Sequence, residues 1–178
     1  MTLSARLAKE QTTEQATSNV ARLVRLVTRD RIIVGQIRPN VSMRLVDYLN
    51  IQTRTTVPIE TVMPSAGQEA AMLMRIDRVL YVVPSEQELN VPPREPTLVV
   101  NKVPRRVRFG LGPFDVEGEV FLPLASEVEV RGLIANSRDR FFVVRNATLR
   151  SVGREEVTKQ HSLIFANRAQ VDYIATPL

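Results

Sequence analysis

The chain has one histidine, His161, and no cysteine, so its scope for nucleophilic and metal chemistry is narrow. Composition excludes thiolate ligands, a cysteine nucleophile and disulfide staples, and a single histidine cannot build a histidine-rich metal cluster. Ser151, His161 and Asp172 supply the residue types of an acyl-transfer triad. No nucleophile elbow surrounds Ser151, however, and His161 sits just before the apolar run Leu163–Phe165, the context of a strand-edge side chain. Glu155 and Glu156 are adjacent in a polar stretch, whereas an acid–base pair must converge on a substrate. Gly110-Leu111-Gly112-Pro113 lacks the Gly-Lys-Ser/Thr end with which a phosphate loop grips nucleotide and metal, and a hairpin turn accounts for it. The expectation is a protein that is not an enzyme and takes no cofactor or metal.

Arginine is the abundant reactive group. The 178 residues carry 24 Lys+Arg against 19 Asp+Glu, a net charge of +5, and only Lys9, Lys102 and Lys159 are lysines. The field is patterned: residues 1–55 and 101–178 are net basic, while 56–100 is net acidic. Arg22, Arg25, Arg29 and Arg31 form one cluster; Lys102, Arg105, Arg106 and Arg108 form another. Such clusters are either a phosphate-contacting stripe for RNA or DNA or a solvated strand face whose arginines oppose acids. Only Tyr48, Tyr81 and Phe109 are at hand for base stacking, and there is no tryptophan.

The elements that must position these residues follow from an internal repeat. At an offset of 83 residues Val24 superposes on Val107, Arg25 on Arg108, Gly35 on Gly118 and Ile37 on Val120. With one or two inserted residues Leu49 meets Leu133 and 57–62 meets 142–147; at 83 again, 80–83 meets 163–166. Each unit opens with a predicted hairpin, Val24–Thr28 with Ile32–Arg38 and Val107–Leu111 with Asp115–Leu122. In the last of these Val116, Val120 and Leu122 share a face with Gly118, and Asp115, Glu117 and Glu119 share the other, a half-solvated antiparallel pattern. The shared glycine marks a bend or bulge. A short helix follows in each unit, from Ser42 to Asn50 and from the capping-box pair Ser126 and Glu129. Strands at 56–63, 78–83, 140–150, 161–166 and 170–175 complete the units. Five of eleven prolines fall between residues 84 and 104 and cannot sit in a central strand. The reading is an arm at 1–19, a first β-rich unit at 20–83, a linker at 84–96 and a second unit at 97–178, of which 97–103 can instead complete the first.

The end of the second unit, LIFANRAQVDYIA (163–175), resembles the last two strands of Sm-like proteins, where an apolar strand enters a tight basic turn and leaves into another strand. The glycine-containing opening hairpin is similar to the start of that fold. The Asp47-Tyr48-Leu49-Asn50 helix end is also similar to uncharacterised bacterial β-rich domains. The Sm-like resemblance implies that each unit is a small, strongly bent barrel, that assembly runs through edge strands, and that Asn167 and Arg168 occupy the family's RNA-contacting turn; Ala169 stands where that turn has glycine. The fold class expected is mainly β with short helices, two tandem Sm/SH3-like barrel units. The function expected is structural or adaptor, with the protein itself or subunits of a larger complex as partners and with Phe141 and Phe142, one on each face of their strand, at the interface. The alternative is RNA or DNA binding through the arginine clusters. No apolar run is long enough for a membrane span, and a cytoplasmic location is expected.

Overall fold

The computed structural model describes residues 20–40, 43–51, 53–62, 69–86, 88, 102–123, 132, 134, 137–153 and 157–175. The arm at 1–19, most of the proline-rich segment, Ser126, Glu129, Glu155 and Glu156 lie outside the described residues.

The first half runs β1 (Arg22–Val27), β2 (Ile32–Ile37), α1 (Leu45–Leu49), β3 (Thr56–Val62), β4 (Glu69–Arg75), a 3-10 turn (Ile76–Arg78) and β5 (Tyr81–Pro84). The second runs β6 (Lys102–Leu111), β7 (Phe114–Pro123), β8 (Phe141–Ser151), β9 (Thr158–Asn167), a 3-10 turn (Arg168–Gln170) and β10 (Val171–Ala175), with Gly132 and Ile134 helical between β7 and β8. The strands form one antiparallel sheet in the order β10-β6-β7-β8-β9-β5-β1-β2-β3-β4. The protein is therefore mainly β, but the expectation of two separate barrels is corrected. Instead of each half closing on itself, β5 lends its free edge to β9, with Tyr81 opposite Ala166 and Val82 opposite Phe165, so one open sheet spans both halves. Pairing one half's edge with the other's satisfies backbone groups that each half alone would leave exposed.

Within each half the strand order is the same, β5-β1-β2-β3-β4 and β10-β6-β7-β8-β9. Val24 stands opposite Gly35 as Val107 stands opposite Gly118. Both glycines permit close crossing of the next strand. A Cβ on Gly35 would lie 2.5 Å from Ile59 Cγ2, and one on Gly118 would lie 2.5 Å from Val144 Cγ1. The register of β7 on β8 shifts at Gly118, where Asn146 takes a left-handed φ of 50° and β8 bulges. The stretches 80–83 and 163–166 are not equivalents. They meet side by side at the seam, and the counterpart of β5 is β10.

Two cores result. One gathers Ile37, Leu45, Leu49, Val57 and Ile59 with Phe141, Leu163 and Phe165 from the second half; the other gathers Phe109, Leu111, Val116 and Val144 with Val27, Leu80 and Tyr81 from the first. Across the seam the core-facing side of the sheet changes over: Val82 and Phe165 face the first core, Tyr81 and Ala166 the second. That is why β9 reads Leu163–Ala166 as an unbroken apolar run, since both its faces are covered there. No helix among the described residues is long and apolar enough to cross a membrane.

Candidate functional site

The arginines of the first hairpin separate. Arg22 is buried and ion-paired with Glu88, whose other carboxylate oxygen accepts from the Leu45 backbone N–H at 3.3 Å, so it braces β1 against the start of α1 and leaves the expected surface stripe. Arg31 bonds Asp30 through Nε at 3.3 Å and Nη2 at 3.2 Å in the turn; Arg25 and Arg29 are exposed. In the second cluster Arg108 is ion-paired with Asp115, which also accepts from the Tyr173 hydroxyl at 2.8 Å. The Arg108 guanidinium holds the Asp115 carboxyl below its ordinary range, and that carboxylate in turn raises the Tyr173 phenol. Arg106 stands opposite Glu119, and Arg108 also opposite Glu117. This face is arginines set against acids, with Lys102 and Arg106 exposed on it; Arg105, also exposed, points to the opposite face, across from Val120.

Asn167 does not face a ligand. It is fully buried, and its side-chain amide binds the seam. Arg168, next in the chain, lines a cavity of about 460 Å³ with Arg138, Arg140 and Asp172 beside β10. Neither Phe141 nor Phe142 forms an exposed interface. Phe141 is buried in the first core and Phe142 is half-buried against the second, its ring 5.4 Å from Phe109. The chain's own halves cover both faces of that strand. Asn50 fixes its start: its side-chain amide accepts from Phe141 N at 2.7 Å and donates to Phe141 O at 3.0 Å, a strand partner in miniature.

The triad residues are not assembled. His161 Nε2 is buried with no hydrogen-bond partner among the described residues, Asp172 accepts from Gly112 N at 3.1 Å, and Ser151 lies on β8 four positions from Ala147, the residue opposite His161. Burial, with Arg25 and Lys159 nearby, pushes the His161 imidazole below its ordinary value. Tyr81 beside it is pushed up to about 12 by burial.

Sequence reasoning misses β4 as a strand and does not place β10 at an edge. These two strands end the sheet, and each carries a large exposed apolar side chain, Leu73 at 72% and Tyr173 at 48%. Beside Leu73 a groove of about 760 Å³ opens onto Ile33, Met72 and Met74, with Arg29, Asp30, Arg31, Asp77 and Arg78 around it. The signal for β4 is faint because Glu69-Ala70-Ala71-Met72-Leu73-Met74-Arg75 is rich in helix formers. No family model, no curated protein and no solved structure matches the chain.

Proposed function

We propose that the protein is a non-enzymatic structural or adaptor protein that assembles through its sheet edges, with itself or with subunits of a larger complex. The observation that carries this is the pair of apolar edge residues, Leu73 on β4 and Tyr173 on β10. Edge strands present unpaired N–H and C=O groups, and proteins that keep such edges unpartnered guard them with charge, proline or a covering loop. Among the described residues none of these guards the centre of β4, and a groove beside it could take a strand-borne side chain. Each half is read as one Sm-like bent unit of a duplicated chain; the common strand order and the matched Val–Gly pairs support that reading. A cytoplasmic location goes with it.

A photoreactive side chain placed at position 73 or 173 and activated in cells tests the reading. Cross-links to protein are expected from both, and few from the exposed control positions Val152 and Val157. Equal, background yields at all four positions would overturn it.

Binding of RNA or DNA is a second reading, favoured by the cavity that Arg138, Arg140 and Arg168 line. Its signature is affinity that falls linearly with salt on logarithmic axes, because neutralised phosphates release counterions. Absence of binding below about 100 mM salt removes it.

A further inference from the structure

We propose that the partner at both edges is a second copy of this chain, added head to tail, with β10 of one copy antiparallel to β4 of the next, Ile174 opposite Leu73 and Tyr173 opposite Met74. The proposal rests on the assembly reading above and names its partner.

The template lies inside the chain, where β5 pairs with β9. Pairing partners, and not sequence similarity, carry β5 onto β10. Tyr81 pairs with Val27 and Val82 with Leu26; Tyr173 pairs with Gly110 and Ile174 with Phe109. Val27 and Leu26 hold in β1 the places of Gly110 and Phe109 in β6, as the matched pairs Val24–Gly35 and Val107–Gly118 require. Pairing partners likewise carry β9 onto β4. Phe165 pairs with Val143 and Ala166 with Phe142, as Leu73 pairs with Pro58 and Met74 with Val57. The two sets align through Ile59 and Val144, which meet the two glycines in the same way.

Burial differs within each pair of counterparts. Tyr81 is 1% exposed and its counterpart Tyr173 is 48% exposed; Phe165 is 2% exposed and its counterpart Leu73 is 72% exposed. The seam covers the first of each pair; among the described residues no strand pairs beyond Leu73 or Tyr173, and Tyr173 lies over Gly110 of its own chain with its hydroxyl on Asp115. In the seam Tyr81 enters the second half's core. Carried over, Tyr173 leaves Asp115 and turns into the next copy's groove, where Ile33, Met72 and Met74 of the first core are rimmed by Arg29, Asp30, Arg31, Asp77 and Arg78. Leu73 reciprocally reaches the half-buried Ile174, as Phe165 reaches Val82. Charge also fits. Leu80 packs against Gly112 across the seam, 3.1 Å from where a Cβ would stand, and the residues in those places between copies are Asp172 and the exposed Arg29. Because the two edges differ, the contact is heterologous and repeats as a ring or a filament.

The absence of native cysteine makes the register directly readable. Full-length chains carrying Leu73→Cys are mixed with chains carrying Ile174→Cys under mild oxidation. Directly opposed strand residues lie within disulfide reach, so a covalent pair of chains is expected. Leu73→Cys with Ala175→Cys, one residue out of register and facing the other side, is expected to give none. Independently, the unsubstituted protein is expected to sediment as multiples of 20.1 kDa, and Leu73→Lys or Tyr173→Lys to return it to the single-chain mass with its circular dichroism unchanged. Monomeric unsubstituted protein at high micromolar concentration, or equal disulfide yields in and out of register, would overturn the proposal. If the in-cell cross-links from 73 and 173 form but join a different protein, the assembly reading stands and the second copy falls; if they are absent, both fall.

Discussion

Asn167 donates from Nδ2 to the Val79 carbonyl at 2.7 Å, joining the end of β9 to the residue that leads into β5. The same amide donates to Ile76 O at 3.2 Å and accepts from Ala169 N at 3.1 Å, while the Asn167 backbone N–H donates to Leu80 O at 2.8 Å. One fully buried side chain thus satisfies three backbone groups at the seam. Asn167→Ala is expected to cost about 1–3 kcal/mol, the range for stranding buried polar groups, read as a lowered midpoint in urea. Asn146→Ala, on an exposed side chain bonded to Glu119, gives a comparison: it is expected to cost about 1–2 kcal/mol, through its left-handed backbone.

The two matched glycines predict equal penalties in the two halves. A Cβ at Gly35 meets Glu60 O at 2.6 Å as well as Ile59, and one at Gly118 meets Arg145 O at 3.0 Å as well as Val144. Backbone cannot step aside as a flexible side chain can, so Gly35→Ala and Gly118→Ala are each expected to lose about 1–3 kcal/mol by overpacking. At Gly153, with a φ of +83° and nothing within 4 Å of its Cβ position, substitution introduces backbone strain alone; thermal melts of the three variants rank them.

The Arg22–Glu88 pair is buried on both sides. Removing one charge strands the other, so Glu88→Gln is expected to cost about 3–5 kcal/mol, and the double replacement Arg22→Met with Glu88→Met to recover most of it. A double-mutant cycle by urea denaturation measures the coupling. Added salt is expected to change it little, because buried pairs are weakly screened.

His161 predicts a pH dependence near neutrality. Its folded pKa lies below the ordinary 6.5, so the folded state keeps the ring neutral while the unfolded chain takes up a proton. Stability is full above the unfolded value and declines as pH falls through about 6.5 toward the lower folded value. Melting temperature is expected to drop between pH 7.5 and 5.5, and His161→Gln to flatten that slope. Asp115 and Glu60, held below their ordinary values by Arg108 and Arg38, act in a separate, more acidic window. Their contribution is lost as pH falls through their own lowered values.

Residues whose role is set by near neighbours are legible in the amino-acid sequence. β7 alternates buried Val116, Val120 and Leu122 with acids on the other face, and Gly118 sits at a bulge. Asn50 does end α1, with its side chain bonded to β8. What stays hidden depends on distant partners. Arg22 reads as a surface cation until Glu88 is brought to it, and Asn167 reads as a turn residue until Ile76 and Val79 arrive. Phe141 and Phe142 read as interface residues, one on each face, because a strand with two cores, one on each side, has no signature in a local window. The same holds for β4, whose helix-favouring residues become a strand only through pairing with β3.

The change of core-facing side at the seam means that four strands, β1, β5, β8 and β9, each contribute to both cores, β5 and β9 at the seam itself. The chain between β5 and β6 keeps them at an effective concentration no solution of separate halves can match. The internal pairing can therefore persist through dilution that dissolves any contact between separate molecules. Severing the chain in that segment would convert the seam from a folding contact into a binding equilibrium, and its strength could then be weighed on the same scale as the outer edges.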